Sequence, residues 1–550
     1  MMKIRLLAML LCAVLLLSLA ACGGSQEPTP SGGGESPTGS APPATPSGGG
    51  EDTPDAPSTP DAPVSAKDTI NVAITADDGT LAIEYTTTGT YWAMTAVMEP
   101  LWDVNEAGDN IMVLAENVEQ VSDTQYTVHL RQGVTFSNGN PFTASDIVFS
   151  YGVFQLAGAT GQPRTQTIDP EKTKAIDEHT LDLHLLAPSV AHWQILSQFF
   201  IYDEESYDKD RSNREPIGTG PYVVTEYVPN SSIILERRED YWGALPAAKY
   251  INFKLLAEPS QRVNALETNL VDISLVALDD VDYAKTLPQY NINERYMSNF
   301  DSVMFNFGPK SKFYHNVDAR RAVLHAINPQ TLLDVVYQGK GKTMHAAVPE
   351  HCFDYEDRFS DMDDTYKIGY NVERARELAQ SSGLAGQTVK LMTNGAAEAL
   401  KTAEIVQSML SEIDVTVEIN SYDPATAWQM SYDLEAEWDF SAGGGISPNR
   451  VVGDQLLNGV RYSPMLTIPG AFDGNMEYLE RAPLAMSTVD KAELSEVLYD
   501  LLGQYEAAAI SFGTVHMTFA NAYTTAIDMN SVNYSVGTSF VRLQDLKFVS

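Results

Sequence analysis

The sequence predicts a mixed α/β protein with more than one domain. The chain has 550 residues, and a single hydrophobic core stops growing at about 250–300 residues. Strand-like and helix-like segments alternate along it without a fixed-period repeat, which favours an α/β fold over an all-α or all-β one. Hydrophobic residues are 44% and charged residues 20% of the chain, which excludes a chain that is disordered throughout.

The predicted elements follow one another from a first strand at 69–74. A strand at 126–130 leads through a turn to a helix that begins after Thr143 and ends at Ser150. Thr143 suits an N-cap, with Asp146 as its capping-box partner. Hydrophobic periodicity then predicts the remaining elements. They are strands at 222–227, near 233 and at 415–419, and helices from Val317, over 371–382 up to Gly383, and over 400–413.

The first 22 residues have the pattern of a secretory signal that ends at a lipid attachment site. Lys3 and Arg5 precede a short apolar run at 6–20, which is too short to span a membrane. The sequence LAAC ending at Cys22 resembles a bacterial lipobox, in which the cysteine thiol carries a diacylglycerol. We therefore expect a signal peptide over 1–21 and a chain anchored on the outer face of the cytoplasmic membrane, with an ordinary cleaved signal as the alternative.

A low-complexity segment separates the lipobox from the body of the protein. Residues 22–67 consist mainly of Pro, Gly, Ser and Thr and contain no aromatic residue. Such a composition cannot bury a core and predicts a disordered tether. No later apolar run reaches 18 residues, so we expect a soluble body that starts at Asp68.

The charge argues against a nucleic-acid-binding protein, and the cysteine count argues against a disulfide-stabilised fold. The chain has 35 Lys and Arg against 73 Asp and Glu, a net charge of −38, and nearly all of this charge lies after residue 67. Such a chain repels phosphate backbones, so we expect no nucleic acid partner. Its cysteines are Cys12, Cys22 and Cys352, too few for a disulfide framework.

Five sequence blocks of the body resemble the family 5 bacterial extracellular solute-binding proteins, which are the peptide, dipeptide and nickel receptors of ABC importers. The blocks keep the order of that family and span nearly the whole body. They are LRQGVTFSNGNPFTASDIVFS at 130–150, PIGTGPY at 216–222, YWG at 241–243, ALETNLVDI at 265–273 and RRAVLHAI at 320–327. The lipobox and the tether agree with this resemblance independently.

The resemblance implies a two-lobed periplasmic-binding-protein-like fold of the class II type, with a hinge and an extra inserted domain. Lobe I is expected to comprise 68–112, 212–325 and 510–550, the inserted small domain 113–211, and lobe III 326–509. Ligand then binds between lobes I and III, and no bond is made or broken. We therefore expect that the protein is not an enzyme and uses no cofactor. The implied partners are a peptide or other small solute and the permease and ATPase of an importer. We expect the protein itself to be a monomer.

Two segments are expected, by this resemblance, to line the ligand cleft. One follows the first strand and the other covers 438–450, with Trp428 upstream of it. The candidate ligand-binding residues are Thr90, Tyr91, Trp92, Trp428, Gly444, Gly445, Ile446, Ser447, Asn449 and Arg450. Tyr91 and Trp92 can stack on a ligand and Arg450 can pair with a ligand carboxylate. The alternative is that Tyr91, Trp92 and Trp428 belong to the core and Arg450 is solvated or structural.

The second segment departs from the family pattern. Gly445 stands near a position where family members carry a ligand-stacking Trp, and Ser447 or Pro448 stands where peptide receptors carry an Asp that pairs with the ligand's α-amino group. A buried ammonium needs a charge or several acceptors. Either another acid supplies them here, or the ligand has no free amine at this place.

A peptide is therefore the leading ligand, with two alternatives open. A nickel or metallophore receptor would use His345, His351 and Cys352, because imidazole and thiolate suit nickel, although their spacing matches no recognised site. A ligand sensor would use the same fold without transport. The motifs GxSxG and HExxH do not occur in the sequence, which gives no support to a hydrolase.

Overall fold

The computed structural model describes residues 68–87, 89–296, 299–362, 367–431, 433, 435–443, 445–446, 450–462, 477–535 and 540–549. The predicted signal, Cys22 and the tether lie outside the described residues. So do Gly444, Ser447, Pro448 and Asn449.

The strands of the described residues form three sheets. Their bounds are β1 Thr69–Ile74, β2 Trp102–Val104, β3 Asn110–Met112, β4 Ala115–Ser122, β5 Gln125–Leu130, β6 Lys174–Asp177, β7 Thr180–His184, β8 Tyr222–Val228, β9 Ser232–Arg237, β10 Tyr250–Leu255, β11 Ile273–Val276, β12 Tyr290–Tyr296, β13 Asn299–Phe305, β14 Gly341–Thr343, β15 Thr388–Thr393, β16 Thr416–Ser421, β17 Phe440–Ala442, β18 Gly445–Ile446 and β19 Ser511–Thr524. The large sheet has the order β16-β15-β17-β13-β19-β11-β1-β10-β9-β8, with β12 and β14 also paired to β19 and β18 to β13. A four-stranded sheet has the order β4-β5-β7-β6, and β2 pairs with β3.

Helices interleave with these strands, as an α/β fold requires. Their bounds are α1 Gly89–Met94, α2 Ala144–Phe154, α3 His192–Leu196, α4 Lys209–Ser212, α5 Pro259–Glu267, α6 Val281–Ala284, α7 Val317–Ala326, α8 Pro329–Val335, α9 Val372–Ser381, α10 Ala397–Ser411, α11 Pro424–Met430, α12 Val452–Tyr462, α13 Glu477–Arg481, α14 Leu484–Ser487 and α15 Lys491–Ala507. Among the described residues, no helix combines the length and the apolar character that crossing a membrane requires.

The predicted elements are confirmed, with shifts of a few residues at their ends. Helix α2 begins after Thr143, whose backbone N–H donates to Asp146 Oδ2 at 2.7 Å as the capping box requires. It continues to Phe154, four residues past the predicted end, because Ile147, Val153 and Phe154 are buried on its inner face. Tertiary burial rather than local propensity therefore sets where this helix ends.

Two large hydrophobic cores organise the body. The first core packs residues between Ile70 and Phe253 with C-terminal residues such as Tyr523 and Leu546. The second core packs residues between Val303 and Val515, together with Ala191 and Ile195 beside helix α3. The segment boundaries that we predicted for the lobes and the inserted domain stay predictions.

A single strand, β19, belongs to both cores. Its N-terminal half pairs with β13 and places Phe512 and Val515 in the second core. Its C-terminal half pairs with β11 and β12 and places Tyr523 in the first core. Strands β12 and β13 run antiparallel beside it, so the chain crosses between the cores as a narrow ribbon of adjacent strands.

A buried carboxyl at the end of helix α15 makes the stability of the second core depend on pH. Glu506 is 1% exposed, its Oε1 accepts the Ala347 N–H at 3.0 Å, and burial raises its pKa from 4.5 to about 8. Between these two values the unfolded chain releases a proton that the folded chain keeps. The free energy of unfolding therefore falls as pH rises through this window.

The substitution Glu506→Gln tests this. The amide oxygen can still accept the Ala347 N–H but cannot ionise, so the variant gains stability over the native chain between pH 5 and pH 8, by about 2–5 kcal/mol. Urea unfolding at both pH values measures the gain. Glu493→Gln, at an exposed position of the same helix, is the matched control, and an equal difference at both pH values for Glu506→Gln would contradict the expectation.

Candidate functional site

The ribbon between the cores carries a stack of three rings. The ring of Tyr296, at the end of β12, lies 4.8 Å from the ring of His516 in β19. The ring of His351 stacks on the same His516 ring, with the two centroids 4.6 Å apart. Burial, followed by the neighbouring His516 and Arg450, lowers the pKa of His351 to about 2. The His351 imidazole is therefore neutral at physiological pH.

A turn from the first core meets the second core beside this stack. The turn covers residues 105–109, between β2 and β3, and we name it the Glu106 turn. The Arg450 guanidinium donates from Nη1 to the Glu106 carbonyl at 3.2 Å and from Nε to the His351 carbonyl at 3.1 Å. The guanidinium carbon, Cζ, lies 4.6 Å from the centre of the Phe353 ring. Burial lowers the pKa of Arg450, which remains far above neutrality for a guanidinium.

The structure places Arg450 in contact with protein groups on both sides of the crossing. That it also pairs with a ligand carboxylate stays a prediction. The carbonyl oxygens of Glu106 and His351 take two of its five N–H donors, and a guanidinium holds its donors in a fixed fork. The alternative of a structural arginine, which the sequence left open, agrees with these contacts.

The first predicted segment lies inside the first core. Trp92 is 6% exposed, donates from its indole nitrogen to the Val541 carbonyl at 2.8 Å and stacks on Phe540 with ring centres 5.3 Å apart. The Tyr91 ring lies under the Arg164 guanidinium at 4.7 Å. The Thr90 hydroxyl is buried and donates to Asp77 Oδ1 at 3.0 Å. These contacts are those of core residues, and ligand contact by any of the three stays a prediction.

The second predicted segment is positioned by buried polar groups. The Asp439 carboxylate, 5% exposed, accepts the Lys312 N–H at 2.8 Å and the Lys390 N–H at 2.7 Å. This fixes β17 against β13 and β15, and β18 (Gly445–Ile446) continues along β13. The described part of the segment thus runs beside β13 and β15. The side chains of Trp428, Gly445 and Ile446 lie outside the described residues.

A cleft of about 860 Å³ opens beside the first core. Tyr91 and the YWG block at 241–243 are on its wall. Four of the charged groups on this wall have side-chain partners. Glu99 accepts from the Tyr241 hydroxyl at 2.6 Å and from the Trp242 indole nitrogen at 3.1 Å, and Arg542 pairs with Asp103 and with Asp545. The YWG block therefore has a structural role in holding a buried acid.

The residues proposed for a metal do not form one cluster. His345 is exposed and contacts Thr343, His351 belongs to the ring stack, and Cys352 is buried in the second core. Within the part of the chain that the structure describes, no three His, Cys, Asp or Glu side chains are grouped so that they could hold a metal ion. The nickel alternative gains no support from these residues.

Sequence reasoning missed the residues that join the two cores. Glu106, Gly108 and Phe353 were not among the candidates, because each stands in an irregular segment without a motif or a periodic pattern. Gly108 has a φ of +88°, a conformation that favours glycine. The sequence shows the glycine but does not reveal its conformation.

Two hydrophobic cores joined by a few shared strands are the arrangement of a two-lobed binding protein. The solved structure of the ABC transporter substrate-binding protein CtaP from Listeria monocytogenes has this fold. It superposes with a TM-score of 0.75 at 20% identity and covers 88% of this chain and 100% of that one. The two-lobed fold predicted from the sequence is confirmed.

The chain belongs to the bacterial extracellular solute-binding proteins, family 5. The model of that family, described as family 5 Middle, matches residues 111–457, more than half of the chain. The resemblance noted in the sequence blocks is thereby confirmed. The family is one of solute-binding proteins.

Curated relatives share about a quarter of the sequence. The chain is 25% identical over 359 residues to the probable ABC transporter periplasmic-binding protein SapA of Escherichia coli, covering 58% of this chain and 64% of that protein. It is 24% identical over 347 residues to the dipeptide-binding protein of Escherichia coli, covering 56% and 63%. The match thus spans less than two thirds of the length of either relative.

The packing of Trp92 yields a stability prediction. Trp92→Ala removes a buried indole and its stack on Phe540, so the free energy of unfolding falls by about 3–5 kcal/mol. Trp92→Phe keeps an aromatic ring but leaves the Val541 carbonyl without its donor, at a smaller cost of about 1–3 kcal/mol. Urea unfolding of both variants measures this. A loss below 1 kcal/mol for Trp92→Ala would contradict the core role and favour ligand contact.

Proposed function

We propose that the protein is an extracytoplasmic substrate-binding lipoprotein of an ABC importer. It captures a peptide or a related small solute between its lobes and delivers it to a membrane permease. The observation that carries the proposal is the family match over 111–457 in a chain whose two cores both use strand β19, with β12 and β13 paired to it. Binding proteins of this architecture work by lobe closure around a ligand.

Peptides are the ligand class best supported by the relatives. One is named a dipeptide-binding protein, and another, from Pseudomonas aeruginosa, a di/tripeptide-binding protein. The proposed contacts are backbone groups and side chains of 444–450 together with the segment at 90–92. Because the carboxylate expected near Ser447 is absent, the proposed ligand is held by acceptors other than that acid.

Native mass spectrometry of the purified chain tests the ligand class. A mixture of co-purified peptides is the expected result, because a peptide receptor reads mainly the ligand backbone and accepts many side chains. Stoichiometric nickel or a single non-peptide solute would overturn the peptide assignment. Calorimetric titration with trialanine and separately with Ni²⁺ then compares the two chemistries directly, and the expected result is heat on addition of the peptide alone.

The proposed anchor rests on the lipobox that ends at Cys22. Two or three acyl chains anchor a protein stably, whereas a single chain binds membranes only marginally. Cys22→Ser is therefore expected to move the protein from the membrane fraction to the soluble fraction after cell lysis, as measured by fractionation and immunoblotting. Cys352→Ser, which changes the buried cysteine of the second core, is the matched control. Retention of the Cys22→Ser variant in membranes would remove the lipoprotein assignment.

A further inference from the structure

We propose that the Glu106 turn, Phe353 and Arg450 form a clasp that holds the two lobes in a closed arrangement. This proposal rests on the proposed function, in which ligand is captured between the lobes. It adds a specific contact that sets how readily the lobes separate.

The turn is a rigid element of the first lobe. The Asn105 side-chain oxygen accepts the N–H groups of Ala107 and Asp109, both at 2.9 Å, and the Asn105 N–H donates to the Asp109 carbonyl at 3.1 Å. The Arg295 guanidinium on β12 pairs with the Glu106 carboxylate at 3.0 Å. Local hydrogen bonds and one ion pair therefore hold the turn in a defined conformation and position.

The opposing surface is built from two segments of the second lobe. The Phe353 N–H donates to the Arg450 carbonyl at 2.8 Å, and the Arg450 side chain lies over the Phe353 ring. Arg450 has a φ of 52°, which is uncommon for a residue with a Cβ. Its neighbour Val451 is buried in the second core. The ring and the guanidinium are thus presented together by one small framework.

The contact crosses from one core to the other at Phe353. Its neighbour Cys352 is buried in the second core, whereas the Phe353 ring packs against the first core. Gly108 has no room for a side chain, because a Cβ there would lie 2.9 Å from Phe353 Cδ1. Arg450 adds its hydrogen bond to the Glu106 carbonyl. Opening the lobes would expose the ring to water and break that bond.

The physical consequence is a shift of the equilibrium between closed and open forms. Apolar burial of one ring and a charge-assisted hydrogen bond both favour the closed form. Neither is present once the surfaces separate. The cores also meet where the Val190 N–H donates to the Met486 carbonyl at 2.8 Å. Helix α3 also joins the cores there, because Ile195 is buried in the second core and Leu196 in the first. Both clasp variants leave that contact unchanged.

Small-angle X-ray scattering of the ligand-free full chain tests the clasp. Every sample carries Cys22→Ser, so all share the same unlipidated N-terminal segment. Phe353→Ala removes the crossing ring, and Gly108→Val places a side chain against it. Tyr355→Ala is the matched control, because Tyr355 is a partly buried aromatic of the same segment that packs against the second core alone. Arg450 is left unchanged, since it is also a proposed ligand contact.

The expected result is a larger radius of gyration for Phe353→Ala and for Gly108→Val than for the chain with Cys22→Ser alone. Tyr355→Ala is expected to leave the radius unchanged. An unchanged radius in both clasp variants would overturn the proposal. Urea unfolding identifies a variant that fails to fold, and the other variant then decides. Titration of the same samples with trialanine separates the two proposals. Peptide binding with no change in radius refutes the clasp alone, whereas a raised radius without peptide binding refutes the peptide assignment alone.

Discussion

The structure depends on strand β19, because both hydrophobic cores are built on it. Its first half closes the second core and its second half closes the first core. The backbone N–H and C=O groups of a strand must stay paired when they are buried. Neither half can therefore leave its sheet without a cost to the core that it serves. Relative motion of the cores is restricted to bending and twisting of the few strands that join them.

Ring contacts and buried polar groups define the structure beside strand β19. The rings of Tyr296 and His351 each lie against the ring of His516 in that strand. The segment 438–443 runs beside β13 and β15, and buried polar groups hold it there. The Asn306 side chain donates to the Trp438 carbonyl at 2.7 Å, and the Asp439 carboxylate accepts two backbone N–H groups. Once paired, such groups fix the strand register, since a slip of one residue would leave them buried and unsatisfied.

The clasp and the crossing strands have complementary roles. The strands join the cores covalently and define the axis about which they can move. The Glu106 turn, Phe353 and Arg450 join them by contacts that can be broken and remade. A receptor needs both, because a ligand can shift an equilibrium only between states that are separated by a few kcal/mol. The clasp consists of one ring, one guanidinium and backbone carbonyls. The net charge of −38 therefore has no direct part in these contacts.

Local patterns in the sequence determined the secondary structure and the family. Capping at Thr143, the helical spacing after Val317 and the five sequence blocks are contained in short stretches of chain, where propensity and periodicity act directly. The place of the individual side chains was decided only by the tertiary structure. Trp92 was a candidate ligand contact and lies in the first core, and the guanidinium of Arg450 is bound to a turn far away in the sequence. No local pattern encodes such contacts, because they arise from the packing of distant segments on the shared strands.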